Sequence, residues 1–354
     1  ALPPAFVPHL TILSLTRFQY SGLKPTRPPL RPSSCNLNTK PRTMATKVAA
    51  SIDKTGAFVR KDSIFRNWIK KGTEFPPEKD RYHLYISHAC PWAHRTAIVR
   101  QLKGLQDVIT ISPVDYLLGP GGWNFSAENP DPNNGFSWLR EVYEQSDKDY
   151  AANYTVPVLY DKKQKRIVNN ESSEIIRMLN DQFNEWATNP GLDLYPEHLR
   201  EQIESLHTWI YPNINNGVYR CGFAQSQEAY DAAFDGLFEH LDKAEAILSK
   251  TRFLTGSTIT EADVRLFTTL VRFDPVYVVH FKTNKKRLTE YPNLFAFTRD
   301  IYQYTNSSGS VRDTVNMFHI KHHYYESHQK INTYRIVPKG FDVDFDAPHD
   351  RASM

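Results

Sequence analysis

One stretch constrains this chain more than any other: Tyr82-His-Leu-Tyr-Ile-Ser-His-Ala-Cys90-Pro91-Trp92-Ala93-His94-Arg95. Tyr82–Ile86 predicts a short apolar strand. Pro91–Leu105 predicts a helix with Trp92, Ile98, Val99, Leu102 and Leu105 as its apolar positions. Pro91 suits the first helical position, because its ring fixes φ and the N–H it lacks would have had no partner inside the helix. Cys90 therefore falls at a helix N-terminus, facing unpaired backbone N–H groups and the positive end of the helix dipole. Both favour thiolate, and a drop of one to several units from the ordinary value of about 8.5 is expected. His88, His94 and Arg95 lie near enough in sequence to add positive charge. A small buried cysteine beside a cap is the blander reading, and it is the weaker one because strand, Cys-Pro and helix occur together. The pattern is Cys-Pro-Trp-Ala, not Cys-x-x-Cys, so a covalent intermediate on Cys90 would need an external thiol to resolve it.

The length of 354 residues allows two domains and a substantial core. Aromatic content of 13% is rich enough to line a pocket for a flat ligand as well as fill a core. A formal net charge of +4 is too small to imply nucleic-acid binding, and no apolar run approaches a membrane span. Cys35, Cys90 and Cys221 form neither a disulfide framework nor a zinc set, so a reducing compartment, the cytoplasm, is expected. His319 and His323 stand four apart, a spacing that can hold a metal on one helix face. No carboxylate or cysteine cluster accompanies them, so a surface or packing role is expected, and neither a metal nor a nucleotide is implied.

Residues 1–43 are basic, proline-rich and without Asp or Glu. They read as a disordered extension: upstream sequence with Met44 as the start, or a transit peptide that would send the chain to mitochondria. Residues 44–80 form an N-terminal arm with a short amphipathic piece at Ile64–Ile69. Residues 81–189 read as one compact α/β domain. After the Cys90 helix comes a strand at Asp107–Val114, then a long loop at Asp115–Gly135 in which Trp123 is expected to anchor. Strands at Tyr154–Asp161 and Lys165–Asn169 form a hairpin, and Pro157 points to a cis Val156–Pro157 peptide. A helix starts at Glu171 and runs through Ile175, Ile176, Leu179 and Phe183. Ser172 can cap it, and its free N–H groups can hold a carboxylate. After a linker, residues 196–330 are helical throughout: Leu199–Ile210, Ser226–Ser249, a buried helix from Thr260 to Phe273 opened by a Thr260/Asp263 capping box, and one from Tyr291. The tail, 331–354, has no periodicity and is expected to drape over the body.

Several motifs occur in order: Cys90-Pro-Trp-Ala-His-Arg95, Gly-Gly-Trp123-Asn-Phe, Thr-Val156-Pro157-Val-Leu, Asn-Glu171-Ser172-Ser173, Asn-Asn-Gly-Val-Tyr219-Arg-Cys-Gly-Phe223 and Glu261-Ala-Asp263-Val-Arg-Leu-Phe-Thr-Thr-Leu. Together, from about residue 60 to about residue 330, the chain resembles the glutathionyl-hydroquinone reductases, the Xi class of glutathione transferases. A Cys-Pro-Trp-Ala motif alone also suits omega-class transferases; the Gly-Gly-Trp loop and the Gly-Val-Tyr-Arg-Cys-Gly-Phe stretch point to the Xi class.

The resemblance implies a thioredoxin-like N-terminal domain followed by an all-α C-terminal glutathione-transferase domain, assembled as a homodimer. It implies glutathione as co-substrate and glutathionylated quinols as partners. Trp123 becomes a glutathione contact. Thr155, Val156 and Pro157 become the backbone beside its cysteinyl part, and Glu171 and Ser172 the site for its γ-glutamyl end. Cys90 is the expected nucleophile and Tyr219 the residue acting on the quinol hydroxyl. Tyr277 and Tyr324 are expected near the sulfur, with the adjacent Tyr325 an alternative to Tyr324. The implied reaction is reductive deglutathionylation through a Cys90–glutathione disulfide. Two other readings stay open: an omega-like thioltransferase or dehydroascorbate reductase, and a non-catalytic ligand-binding protein on the same fold.

Overall fold

The structure, a computed structural model, describes residues 51–354. The expectations for residues 1–43 and Cys35 lie outside the described residues. The sheet-bearing half is built from β1 (Tyr82–Ile86), α1 (Pro91–Lys103), β2 (Thr110–Pro113), α2 (Leu139–Ser146), β3 (Val158–Asp161), β4 (Arg166–Asn169) and α3 (Ser172–Asp181). Its four strands lie in the order β2-β1-β3-β4. β1 pairs parallel with β2 and antiparallel with β3, with Leu84 opposite Leu159. All five residues of β1 are buried, as befits a central strand covered on both faces, and this is why it reads as a continuous apolar run.

Two boundaries differ from expectation for local reasons. α1 stops at Lys103 because Gly104 turns left-handed at φ 69°, and its N–H bonds back to the last turn. A side chain at 104 would meet Thr188 Oγ1 at 1.6 Å, so the turn requires glycine. The third strand starts at Val158, not Tyr154, because the backbone of Thr155 is held by the Tyr143 hydroxyl. That hydroxyl donates to Thr155 O at 2.7 Å and accepts from Thr155 N at 3.2 Å. The Val156–Pro157 peptide is cis, as the sequence indicates. The sequence did not announce α2, which has only eight residues. Its start is held by Glu141, whose carboxylate accepts from the backbone N–H of Trp138 at 2.8 Å.

The second half is helical: α4 (Arg200–Ile210), α5 (Gly217–Phe223), α6 (Gln227–Leu248), α7 (Glu261–Leu270), α8 (Pro292–Gln303) and α9 (Met317–Ser327). Every residue of α7 is buried, and Asp263 accepts from Thr260 N at 2.8 Å in the expected capping box. α7 ends at Leu270 instead of reaching Phe273; beyond it the chain makes a wider, π-helical turn at Phe273–Tyr277. A second such turn, Tyr211–Asn215, leads into α5. Each contains a proline, Pro275 or Pro212, which cannot supply an N–H to a regular helical ladder.

The two halves meet along α1, which packs on α3 and on α7. Buried Glu261 ties them: Arg177 of α3 reaches it at 2.7 Å and Arg265 of α7 at 2.8 Å. The described part of the arm, from residue 51, touches both. Residues 65–70 run along β4, with Asn67 N donating to Val168 O at 3.0 Å, so the segment read as an amphipathic piece pairs as an edge instead. Further back, Ser51–Ile52 pairs with Phe58–Val59, and Gln225 N donates to Gly56 O at 2.9 Å. The tail drapes as expected: Arg351 is buried and donates to Leu248 O at 3.0 Å beyond α6. No helix among the described residues is long and apolar enough to cross a membrane.

Candidate functional site

Cys90 is the residue before α1, with extended backbone at φ −77° and ψ 121° and with Pro91 in the first turn. The N–H groups of Trp92 and Ala93 face its sulfur and favour thiolate, as do the more distant charges of Arg272 and Arg60. Enclosure outweighs them, and burial pushes the thiol up from its ordinary value. The shift is thus upward where the sequence suggested a depression, and the half-buried Cys90 donates its thiol proton to Val156 O at 3.5 Å. The neighbouring imidazoles add no charge either. Burial holds His88 down at about 4 and His94 well below the usual range. The cations near the sulfur are guanidiniums: Arg95 on α1, Arg60 on the arm and Arg272 after α7.

On one side of Cys90 lies a polar end. Glu171, not Ser172, caps α3, and its carboxylate accepts from Ser173 N at 3.0 Å. The carboxylate outcompetes the shorter hydroxyl for the cap, and Ser172 becomes the first helical residue. Arg95 donates to Ser172 Oγ at 3.4 Å and to Asn215 Oδ1 at 3.2 Å, and stacks over Trp92 at 4.5 Å. Its burial lowers the guanidinium to about 9. Trp123 is anchored as expected, with its ring stacked on His323 at 4.9 Å. Val156 and Pro157 follow Thr155 in the turn before β3.

On the other side lies an aromatic end. Tyr219 of α5, Tyr277 of the π turn and Tyr324 of α9 converge. Tyr219 and Tyr324 hydroxyls are 2.5 Å apart, and Tyr277 and Tyr324 hydroxyls 3.1 Å. Burial pushes all three phenols above their ordinary values. A charge on Cys90 raises both Tyr219 and Tyr277, which puts sulfur and hydroxyls in one site. Tyr325 faces away, its hydroxyl 3.3 Å from Val276 O, so Tyr324 is the member of the group. Phe281 backs the cage, stacked on Tyr277 at 5.4 Å with an interplanar angle of 6°. Gly222 makes room for it: a Cβ there would meet the Phe281 ring at 2.1 Å.

Sequence reasoning missed two site residues. Arg60 lies over the rings of Trp92 at 4.9 Å and Tyr219 at 5.2 Å. It comes from an arm whose local sequence carries no signal for that role. Arg272 is fully buried. It follows the apolar Leu270 and Val271 at the end of a buried helix, and a charge in that place is a signal that could have found it. His319 plays the expected packing role, its ring 5.2 Å from that of His88. Glu204, His207 and Glu261 bring ligand-type atoms within 4.8 Å of one another. Arg177 engages both carboxylates, which makes the group an ion-pair network.

Comparison with known proteins places this geometry. Residues 89–182 match the family described as "Glutathione S-transferase, N-terminal domain", and residues 227–300 match "Glutathione S-transferase, C-terminal domain". The chain is 49% identical over 308 residues to the glutathionyl-hydroquinone reductase YqjG of Escherichia coli, covering 84% of this chain and 92% of that one. It is 46% identical to the glutathionyl-hydroquinone reductase PcpF of Sphingobium chlorophenolicum, covering 80% and 90%. The crystal structure of the glutathione-S-transferase Xi from Phanerochaete chrysosporium superposes with a TM-score of 0.81 at 48% identity, covering 85% of this chain and 97% of that one. The thioredoxin-like sheet, the helical second half and these likenesses lead to one conclusion: the chain belongs to the enzymes of the glutathione S-transferase family, in their Xi class.

Proposed function

We propose that this enzyme is a glutathionyl-hydroquinone reductase with glutathione as co-substrate. The observation that carries the reading is the meeting of three tyrosine hydroxyls, Tyr219, Tyr324 and Tyr277, beside the Cys90 sulfur. Cys90 thiolate attacks the sulfur of a glutathionylated quinol. The S–S bond forms as the aromatic C–S bond breaks, and the electron pair of that bond goes to the ring carbon, which takes a proton. The ring leaves as free hydroquinone. A second glutathione then attacks the Cys90–glutathione disulfide, releasing oxidised glutathione and restoring the Cys90 thiolate. The absence of a Cys-x-x-Cys partner fits this route, since glutathione itself resolves the intermediate.

A bare aryl carbanion is a poor leaving group. Tyr219 meets that difficulty as general acid and base on the quinol hydroxyl, letting the ring react through its keto form. Tyr324 and Tyr277 hold the Tyr219 hydroxyl in place. At the polar end, Glu171 and Ser172 take the γ-glutamyl part of glutathione; Thr155, Val156 and Pro157 lie along its cysteinyl part, and Trp123 contacts it. Glutathione arriving at Val156 would take over the carbonyl that now accepts from the thiol.

We further propose a homodimer working in the cytoplasm. Its working parts are residues 81–189 and 196–330, with 44–80 as the arm and 331–354 as the tail.

The test supplies a glutathionyl-hydroquinone and excess glutathione, and follows hydroquinone and oxidised glutathione together. Wild type should release both, Cys90→Ser neither, and Tyr219→Phe little. Mass spectrometry of wild type, quenched before the second glutathione reacts, should show one glutathione disulfide on Cys90. A wild type that is inert here but reduces small mixed disulfides or dehydroascorbate through Cys90 overturns the reading in favour of an omega-like thioltransferase.

A further inference from the structure

Arg272 has no exposed surface and no ion-pair partner among the described residues. A buried cation without an anion is costly, and folds keep one where something else needs it. All its hydrogen bonds go to neutral groups. Nε donates to Ala89 O at 2.9 Å and Nη2 to His88 O at 3.0 Å. Nη1 donates to Thr268 O at 2.7 Å and to His94 Nδ1 at 3.1 Å. Two of these acceptors are the carbonyls of the two residues immediately before Cys90. One guanidinium thus pins the turn that presents the thiol and fastens it to the end of α7.

The protonation of His94 follows from the same geometry. Arg272 can only donate, so His94 Nδ1 accepts, and its proton sits on Nε2. Nε2 then donates to Thr314 Oγ1 at 2.8 Å, and Thr314 donates onward to Val311 O at 2.6 Å. The imidazole is a neutral link, and the positive charge stays on Arg272.

We propose that Arg272 is a positioning residue for Cys90: its fork fixes the 88–90 turn, and its charge is the built-in counter-charge for the thiolate. This rests on Cys90 being the reactive thiol. Other groups face the sulfur too: Arg60 from the arm, Arg95 from α1, and Tyr219 and Tyr277 from the helical half. Arg60 is partly exposed and Arg95 is engaged with Ser172 and Asn215. Arg272 alone touches the backbone that carries the thiol. His88 and His94 also lie beside it, and its charge helps to hold both neutral.

The test measures iodoacetamide alkylation of Cys90 against pH in the full chain, with Cys90→Ser as the blank for Cys35 and Cys221. Arg272→Met should raise the apparent thiol pKa by about one unit, cutting alkylation at pH 7 about tenfold. Arg272→Lys keeps a charge but cannot hold both carbonyls and His94. It should shift the pKa less, yet lower kcat more than it raises KM. A purely structural Arg272 would leave the profile of folded Arg272→Met on that of wild type, and this result overturns the proposal. Where Arg272→Met does not fold, Arg272→Lys decides: a pKa and kcat both equal to wild type's overturn it. A wild-type Cys90 that resists alkylation at every pH overturns the thiol reading itself, and this inference with it. A titrating Cys90 that depends on Arg272 in a chain inactive on glutathionyl-hydroquinones supports the inference and overturns the proposed function instead.

Discussion

The two ends of the site are assembled in opposite ways. The polar end draws Cys90, Glu171 and Ser172 from strand–helix junctions and Val156 from the turn before β3, all on one sheet, and the Cys-Pro step and the helix start at 171–172 are written in local sequence. The aromatic end draws Tyr219, Tyr277 and Tyr324 from three separate helical segments, and brings them together only when those segments pack. Tyr219 and Tyr324 are 105 residues apart in sequence and 2.5 Å apart at their hydroxyls. The first end is set by local backbone chemistry, the second by tertiary packing around two proline-containing π turns. On the proposed function this is also a division of labour: glutathione on the junctions, the quinol ring in the cage.

Five experiments would break that division or sharpen it. The largest effect belongs to Cys90→Ser, which should cut turnover at least about 10³-fold. Glutathione binding measured by calorimetry should stay within about threefold; joint loss of both would show that thiol and polar end are one unit. Next comes acid. Burial holds His83 at about 3, and His94 well below the usual range, against about 6.5 when unfolded. Unfolded chains then bind more protons, so the stability from these imidazoles is complete above pH 6.5 and drains away as pH falls below it. Each should contribute a slope of about 1.4 kcal/mol per pH unit below pH 6. Urea midpoints from pH 7.5 to pH 5 test this. His280 and His323, both held at about 4, and His328 surround the cage. They should add to the same loss of stability in acid, since each gains its proton on unfolding.

Third, Tyr219→Phe should lower kcat on a glutathionyl-hydroquinone by about 10²-fold and leave reduction of a small mixed disulfide untouched. Tyr324→Phe should cost less, and Tyr325→Phe nothing in kcat. Equal losses on both substrates would erase the distinction between the ends. Fourth, Glu171→Gln should raise KM for glutathione by about tenfold with kcat unmoved, the mark of lost uniform binding. The smallest effect is Thr260→Ala, which removes one partner of the capping box. It should cost about 1 kcal/mol in urea titration and change no kinetic constant.

Legibility from sequence followed the same divide. Apolar β1, the Cys-Pro start of α1 and the Thr260/Asp263 box each depend on neighbours a few residues away, and all were readable. Glu171 displaced Ser172 as the cap because two capping side chains stood side by side, and the carboxylate took the free N–H groups. α7 was legible as buried but not in its end, since a π turn around Pro275 has no periodic signature. The thiol was misjudged because its backbone donors were visible in sequence, while the packing that desolvates it was not. The tyrosines were reachable only through family likeness; no spacing in the chain says that residues 219, 277 and 324 meet. Arg60 lay beyond either route, because its contacts depend on an arm crossing from one half to the other.

The contact between Gly222 and Phe281 carries a consequence for how this enzyme tolerates change. Phe281 has no exposed surface. It is wedged between position 222 and the rings of Tyr277 and Tyr219, at 5.4 Å and 5.3 Å. A single methyl at 222 would have no free volume to enter, so the displacement would pass through Phe281 into the hydroxyl trio. Position 222 is thus a gauge: the smallest side chain that can be added there reads out the stiffness of the cage without itself touching the hydroxyls.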